Sequence, residues 1–591
     1  MIDSPAKFRD SVLSYSVYSE GHKVNDKFDL TFAEVRLGLN KIGKATLKFN
    51  AGDMDAQIFE EVDEETFKPG KKIQLGLGDV NSEIIVFEGI VVEIGIEVDK
   101  GMRSQMVVEC RDCLYPATQV RCNAIFENKT DSDVIKEILG TYGSVDIETT
   151  SYKHESLVQY YCTDWDFVLS RADVNGMFVS VNSGKISVGK PKIDGKAVLM
   201  VSYGNDLIEF DGSVVSGKGF DKVEAVSWLP AQQTVVNALA NQPKLNKQGN
   251  LTAEDLKNVN KQLRQTDANK EKDVLQSWAD ATALKTGLAR FKGSMTFYGS
   301  AKVIPGCMIQ LEGMGKRFCG NVFVGSVEHR VENNVWTTKV FMGVDGNNIT
   351  DEPDVVAPPA SGWLPGIEGL HIGKVKQISD DPSDDRRILV ELPLFGGNKK
   401  EIWMRHAVLY AGSGYGIFFL PEKGDEVVVG FFNNDPCCPV VLGCMYSKKQ
   451  SSDFKAEAGN DIKAIVSREK MKILFDEKKK IITIQTPAGN KIEISDEGKS
   501  VALSDENKNE IKLDKSGIML KSAKDITLKS QGNITLDATA KVTVSAKSDT
   551  VIEAMNVKAT GKVGFSAKGN ATAEISASGQ TTVKGGIVMI N

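Results

Sequence analysis

Four triplets late in the chain, Ile518-Met519-Leu520, Ile526-Thr527-Leu528, Ile534-Thr535-Leu536 and Val542-Thr543-Val544, start eight residues apart. In each, the first and third residues share one side of an extended segment, the period-2 signature of a strand with one buried face. Small polar turns separate them: Ser522–Asp525, Ser530–Asn533 and Ala538–Lys541. The pattern runs on, less strictly, through Thr550/Ile552, Val557/Ala559, Val563/Phe565, Ala573/Ile575 and Thr581/Val583. A fixed short period of strands and turns confines this part of the chain to a β-solenoid. Such a solenoid is a shaft, which implies mechanics rather than catalysis.

Eight residues cannot close a turn of three strands, and each rung offers two or three apolar side chains. Three chains winding together would bury the apolar stripe and pair the open strand edges. The spacing therefore predicts a homotrimer with Ile518, Leu520, Ile526, Leu528, Ile534, Leu536, Val542 and Val544 in its core. About nine rungs at roughly 4.8 Å each give a rod on the order of 40 Å long. Residue usage agrees: no proline follows Pro487, no tryptophan follows Trp403, and Phe565 is the only aromatic after Phe475. Central strands exclude proline, and a thin prism has no room for rings. A disordered polar tail would not keep an octad.

With 591 residues, the chain has room for several domains, roughly four by length. Hydrophobic residues at 41% and charged residues at 26% are ordinary for globular protein. A net charge of −7 gives no bulk basic character, so no nucleic acid is expected as a partner. No apolar run approaches a membrane span, and Met1–Gly21 lacks the layout of a secretion signal. Nine scattered cysteines suit a reducing compartment. The expectation is a protein held in the cytoplasm that leaves the cell, if at all, without a signal peptide.

The fold class expected is mainly β and multidomain. Residues 1–350 alternate as barrel or sandwich strands, for example at 45–49, 72–76, 84–87, 90–94 and 106–110, with helices over 130–139, 163–174 and 273–292. A polar stretch at about 235–272 reads as an exposed insertion with one helix near 252–265. Residues 351–365 are a linker and 366–446 a compact all-β segment. Residues 447–515 form a neck of hairpin units, turning at 476–478, 487–490, 496–498 and 505–509, and 516–591 carry the octads.

Candidate chemistry is sparse. The five histidines (His22, His154, His329, His371 and His406) have no metal-ligand spacing, and Cys110/Cys113 lack a second pair. Cys437, Cys438 and Cys444 lie among apolar strands and read as core or local packing. Gly412-Ser-Gly-Tyr-Gly416 reads as a turn, and no phosphate loop or nucleophile elbow occurs. The expectation is no catalytic residues, no cofactor and no metal.

Residues 366–446 are more specific. Gly373-Lys-Val375, Asp381-Pro382, Arg387–Pro393, Trp403-Met-Arg405, Gly412–Gly416, Pro421–Val427, Asp435-Pro436 and Pro439–Gly443 follow in order. This segment resembles the OB-fold domain of VgrG-type spike proteins and phage baseplate spikes. Upstream, Phe87–Gly89, Asp112, Arg121, Thr130–Leu139, Gln159-Tyr160, Asp164–Phe167, Arg171 and Gly176 resemble the phage-hub-like first domain of the same family, two β-barrel subdomains with helical insertions.

The resemblance implies a trimeric spike and hub of a contractile injection machine, of the type VI secretion kind. The β-helix becomes an intertwined triple-stranded point driven through a target envelope, in transient contact with the target membrane. Implied partners are an Hcp-like inner tube protein, baseplate components and separate effector proteins. A PAAR-type tip protein would dock on Ile587, Val588 and Ile590. Resemblance also implies what this chain departs from: 447–465 leaves no room for a lysozyme domain, and no histidine after His406 remains to bind iron near the tip. The alternatives are the spike of a phage-like extracellular injection system, a cell-wall hydrolase on a trimeric stalk, or a fibre-like adhesin.

Overall fold

The computed structural model describes all residues except 1, 6–11, 81, 102, 217–218, 252–254, 256, 269, 397–398 and 591, and, as to side chains, 219, 221 and 257–260. The chain forms two units, Met1–Tyr446 and Ser447–Asn591.

In the first unit the early alternating segments become Lys44–Asn50, Lys72–Asp79, Ile84–Val98 and Ser104–Arg111, with 84–87 and 90–94 merged into one strand. Their inward residues, among them Leu47, Ile73, Leu75, Met106 and Val108, make one core. A second core gathers Val201, Met295, Phe297, Ile309, Val324 and Val340. Gly320–Glu332 joins the two sets, pairing with Leu30–Gly38 and with Val335–Met342, so one 13-stranded sheet serves both cores. At roughly 3.4 Å per residue this strand is about 44 Å long, enough to reach across both.

The helices form where their caps fall. Asp131–Leu139 (α1) starts at Thr130, whose hydroxyl accepts from Asp133 N while the Asp133 carboxylate accepts from Thr130 N, a reciprocal pair worth about 1 kcal/mol. Asp164–Asn175 (α2) is capped by Thr163 and stops at Gly176, whose φ of +67° favours glycine. A Cβ there would also press on Ala281 of Lys272–Leu288 (α3).

Of the expected helix near 252–265, residues 252–254 and 256 lie outside the described residues, and the part from 257 on is a correction. Lys257–Thr266 is a strand, running parallel to Gly219–Leu229, which also pairs with Thr234–Leu239. Four-residue spacing of Val259 and Leu263 fits one face of a helix and one face of a strand alike; the neighbouring strand edge decides. The 235–272 stretch is thus part of a three-stranded sheet packed on α3 through Val223, Ala225, Leu275 and Ala279.

Residues 371–444 form a closed five-stranded barrel filled by Val375, Ile388, Val390, Met404, Val427 and Val429. Cys437, Cys438 and Cys444 do not contribute to it; all three are exposed. Cys444 ends the strand Pro439–Cys444, beyond the buried Val440 and Val441, and Cys437 sits in the preceding turn, donating its N–H to Asp435.

The second unit opens with a seven-stranded antiparallel meander: Ile462–Val466, Lys472–Asp476, Ile481–Gln485, Lys491–Ser495, Ser500–Ser504, Glu510–Asp514 and Gly517–Lys521. Its turns fall at the four expected positions. Ile518 and Leu520 belong to the last meander strand, so the octads proper begin after it.

Candidate functional site

The residues that carry the family pattern in the first unit are structural pins. Asp131 is buried and accepts from Arg171 Nε at 2.7 Å and Asn175 Nδ2 at 2.8 Å, with His154 Nε2 at 3.0 Å. Burial pushes its carboxyl up, but the hydrogen bonds from Arg171 and Asn175 outweigh this and hold it below the usual range. Asp112 takes the N–H groups of Gly43 and Leu114, yet burial dominates and raises it to about 6. Arg121 ties Tyr161 O, Asp354 O and Val356 O together. In the barrel, Gly373 leaves space for Val390; a Cβ would lie 2.5 Å from it. Asp381 gathers Arg387 and the backbone N–H groups of Ser383, Asp385 and Arg387 into one turn.

Histidines and cysteines likewise make no constellation. His329 is fully buried against Thr338, and burial drives it down to about 4. Burial raises the Cys110 thiol to about 12 and the Cys113 thiol to about 11. Among the described residues no group of three or more His, Cys, Asp or Glu could hold a metal, and no helix is long and apolar enough to cross a membrane.

The unusual chemistry of this chain is apolar and lies in the second unit. Cross-strand register aligns the even positions of the meander into two columns on one face. One runs Phe475, Ile482, Ile494, Val501, Leu513 and Ile518. The other runs Ile473, Ile484, Ile492, Leu503, Ile511 and Leu520 through the same pairings. Every one of these side chains is exposed; on the central strand Ile492 and Ile494 keep 39% and 45% of their surface. The opposite, more polar face is the covered one, with Thr483 and Ser495 buried and Lys491 paired to Glu493. A soluble sheet that hides its polar face and shows its apolar face is half of an interface. Both outer strands also have one open edge.

Beyond Lys521 the octad becomes geometry. The backbone bends at 523–524, 531–532, 539–540 and 547–548, at 555, and again at 562–563, 570–571, 578–579 and 586–587. The first three bends sit inside the three polar turns read from sequence. Exposure repeats with the same period: Ile526 and Leu528 keep 55% and 67%, Ile534 and Leu536 56% and 73%, and Val542 and Val544 the same 56% and 73%. Among the described residues from 522 to 590 no strand is paired within the chain. Backbone groups left without partners over such a length would be satisfied by water or by other chains.

The repeat slips once. From the bend starting at 547 to the one starting at 562 is 562 − 547 = 15 residues, where two octads would give 16. This corrects the later register. Val563 is at a bend, not on a rung with Phe565; the position three after the bend is Phe565 itself, and Ala573, Ile575, Thr581 and Val583 keep their places. The last bend includes Ile587, with Val588 and Ile590 following, all exposed. Ile590 takes the place that Thr527, Thr535 and Thr543 hold in earlier rungs and Val551 in the one after the bend at 547, so this rung is apolar at a place that is mostly polar.

A pinned β hub, a five-stranded OB-type barrel, a meander with an uncovered apolar face and an octad shaft define a spike protein of the VgrG and phage-baseplate class. The chain belongs to the family described as the Alg8 N-terminal domain, which matches residues 9–333. Residues 371–446 match the type VI secretion system/phage-baseplate injector OB domain, and 481–551 the phage baseplate V C-terminal trimerisation domain. Similar curated proteins include the type VI secretion system spike protein VgrG4b of Pseudomonas aeruginosa, 45% identical over 51 residues, which are 9% of this chain and 6% of that protein. Another is the spike protein VgrG3 of Vibrio cholerae, 38% identical over 56 residues, 10% of this chain and 6% of that protein. The chain thus spans a small part of the length of these relatives. Among solved structures, the 43 kDa tail protein of prophage MuSo2 from Shewanella oneidensis aligns at 12% identity and a TM-score of 0.44, over 56% of this chain and 98% of that one. An E. coli type VI secretion component, described as similar to bacteriophage T4 tail proteins gp27 and gp5, aligns at 13% identity and 0.37, over 73% and 99%.

Proposed function

We propose that three copies of this chain form the hub and spike of a contractile injection machine. The observation that carries this is the meander's exposed apolar face, continued by bends every eight residues, within the segment matched by a trimerisation domain. Threefold closure would cover that face and supply ladder partners for the octads. The role is mechanical: many interchain hydrogen bonds, each worth about 1 kcal/mol net, would have to break together before the shaft shears, and slow unfolding would be its working stability.

In this reading the first unit sits on an Hcp-like inner tube and contacts baseplate components. The apolar rung with Ile587, Val588 and Ile590 receives a PAAR-type cap, and separate effector proteins ride on the spike. The protein waits in the cytoplasm, is expelled by the contractile machine, and touches the target membrane only in passing. Cells carrying Ile534→Asp in this chain should assemble sheath and tube yet deliver no effector into target cells; delivery at the normal level would sink the reading.

A further inference from the structure

The strands Arg121–Thr130 and Lys153–Thr163 pair only with each other, as a two-stranded ribbon. A ladder of two strands is marginal in water, and this one is interrupted. Its register breaks between Gln159 and Cys162, and Tyr161, within the break, has a φ of +42°. The ladder resumes with Cys162 directly opposite Cys122 and Thr163 opposite Arg121. Of the nine cysteines, no other two stand opposite each other in a described ladder. Both thiols are free and half-buried. Directly opposed side chains share one face of a ribbon, and Cys162 packs with Ala124, two residues from Cys122, against one core. Opposed residues of an antiparallel pair have Cα atoms about 4.5 or 5.5 Å apart, inside the roughly 4.4–6.8 Å that a disulfide spans. Closure requires Cys122 Sγ, which lies 3.8 Å from Val120 O, to rotate toward Cys162.

We infer that Cys122 and Cys162 are a redox latch, two thiols while the chain sits in a reducing compartment and one disulfide once the spike has been expelled; this rests on the passage from cytoplasm to exterior proposed above. The step is a two-electron oxidation of the pair by an external disulfide, for which oxidised glutathione serves. One cysteine thiolate attacks a sulfur of the oxidant and releases one glutathione thiolate; the second attacks the mixed disulfide and releases the other. The two protons given up by the cysteines end on the two glutathiones, so the exchange balances. The link falls where other ties converge. Arg121, one residue before Cys122, holds Tyr161 O, Asp354 O and Val356 O. Thr163, one residue after Cys162, caps α2 by accepting from Asp166 N. A disulfide there fastens the linker's anchor to the start of α2 across the interrupted ladder. Burial raises both thiols, with Asp164 adding to it at Cys122 and Asp166 at Cys162. Few thiolates at neutral pH make exchange slow, so the pair stays open while the chain folds in reducing surroundings.

The test treats the reduced full chain, half of it isotopically labelled, with oxidised glutathione and maps the cysteines by non-reducing digestion and mass spectrometry. Linked peptides holding Cys122 and Cys162 of one chain are expected. The bond closes a loop of 162 − 122 = 40 residues, so the unfolded-to-folded ratio of the first unit at a fixed denaturant concentration should fall about 30-fold. Cys122→Ser and Cys162→Ser should each abolish both the link and the gain, while Cys438→Ser keeps both. Free thiols at Cys122 and Cys162 after Cys437 and Cys438 have been oxidised, a link joining two chains, or a link without the gain overturns the inference. In cells, spikes recovered from the medium should carry the disulfide and those retained in the cytoplasm the thiols. Expelled spikes with both thiols free overturn the latch and leave the expulsion standing; a chain that never leaves the cell overturns both.

Discussion

Ile494→Asp is the most telling single substitution. Ile494 lies on the central meander strand, opposite Ile482 and Val501, and keeps 45% of its surface in one chain. Covering the rest is worth about 1 kcal/mol. An aspartate in its place loses that and adds a desolvated carboxyl, about 2 kcal/mol even if it takes up a proton. Three copies at one level bring the total to about 10 kcal/mol per trimer. This divides a trimerisation constant by about 10⁷. Because the half-assembly concentration of a trimer varies as the inverse square root of that constant, it should rise about 3,000-fold. Ile494→Ala, which loses only the burial, should raise it about tenfold by the same arithmetic. Glu493→Gln, on the other face of the same strand, removes only a half-buried pair with Lys491 inside one chain and should leave it within about twofold. Sedimentation velocity across a dilution series reads all three. If Ile494→Asp and Glu493→Gln behave alike, the apolar columns are not the interface.

Three further outcomes are expected. Ile534→Asp should abolish the detergent resistance of the shaft while Thr535→Asp preserves it, read by gel mobility without boiling; equal effects would reject the inward assignment of the triplets. Gly373→Ala should destabilise the barrel by about 1–3 kcal/mol through overpacking against Val390 and Val429, seen as a lowered denaturant midpoint for the first unit. His329, driven to about 4 by burial, titrates near 6.5 when unfolded. The unfolded chain therefore binds the extra proton first, so this contribution is full above pH 6.5 and is lost as pH falls toward 4. Relative to His329→Gln, the native protein should lose about 2–3 kcal/mol between pH 7 and 4.5. Asp112, raised to about 6, acts in the opposite sense and cancels in that difference; a pH-independent difference would refute the assignment.

Much of the fold was legible because its signals are local. Thr130 and Thr163 announce α1 and α2 through side chains that cap within three residues. The octad is legible because Ile-Thr-Leu triplets and Ser/Gly/Lys turns repeat without a gap until 547. It blurs where it slips, since Met555 to Gly561 carries few apolar markers from which to count a missing residue. Non-local pairing was not legible: Lys257–Thr266 is a strand only because Gly219–Leu229 offers an edge to it. The meander columns could have been found, because apolar residues recur at the second and fourth places of six of the seven segments, in Lys491-Ile-Glu-Ile-Ser495 and Glu510-Ile-Lys-Leu-Asp514 among others. The exposed hairpin around 411–416 could not. A run such as Ile417-Phe418-Phe419-Leu420 reads as buried strand until a structure shows it outside the barrel.

The most direct measurement is the absolute mass of the full chain in solution, by light scattering, before and after mild heating in detergent. A chain of 64.3 kDa gives 3 × 64.3 = 192.9 kDa for a closed trimer. An interwound trimer keeps that mass under both conditions, with the segment after Lys521 resistant to protease. A species of 64.3 kDa with a protease-labile C-terminal segment would contradict it.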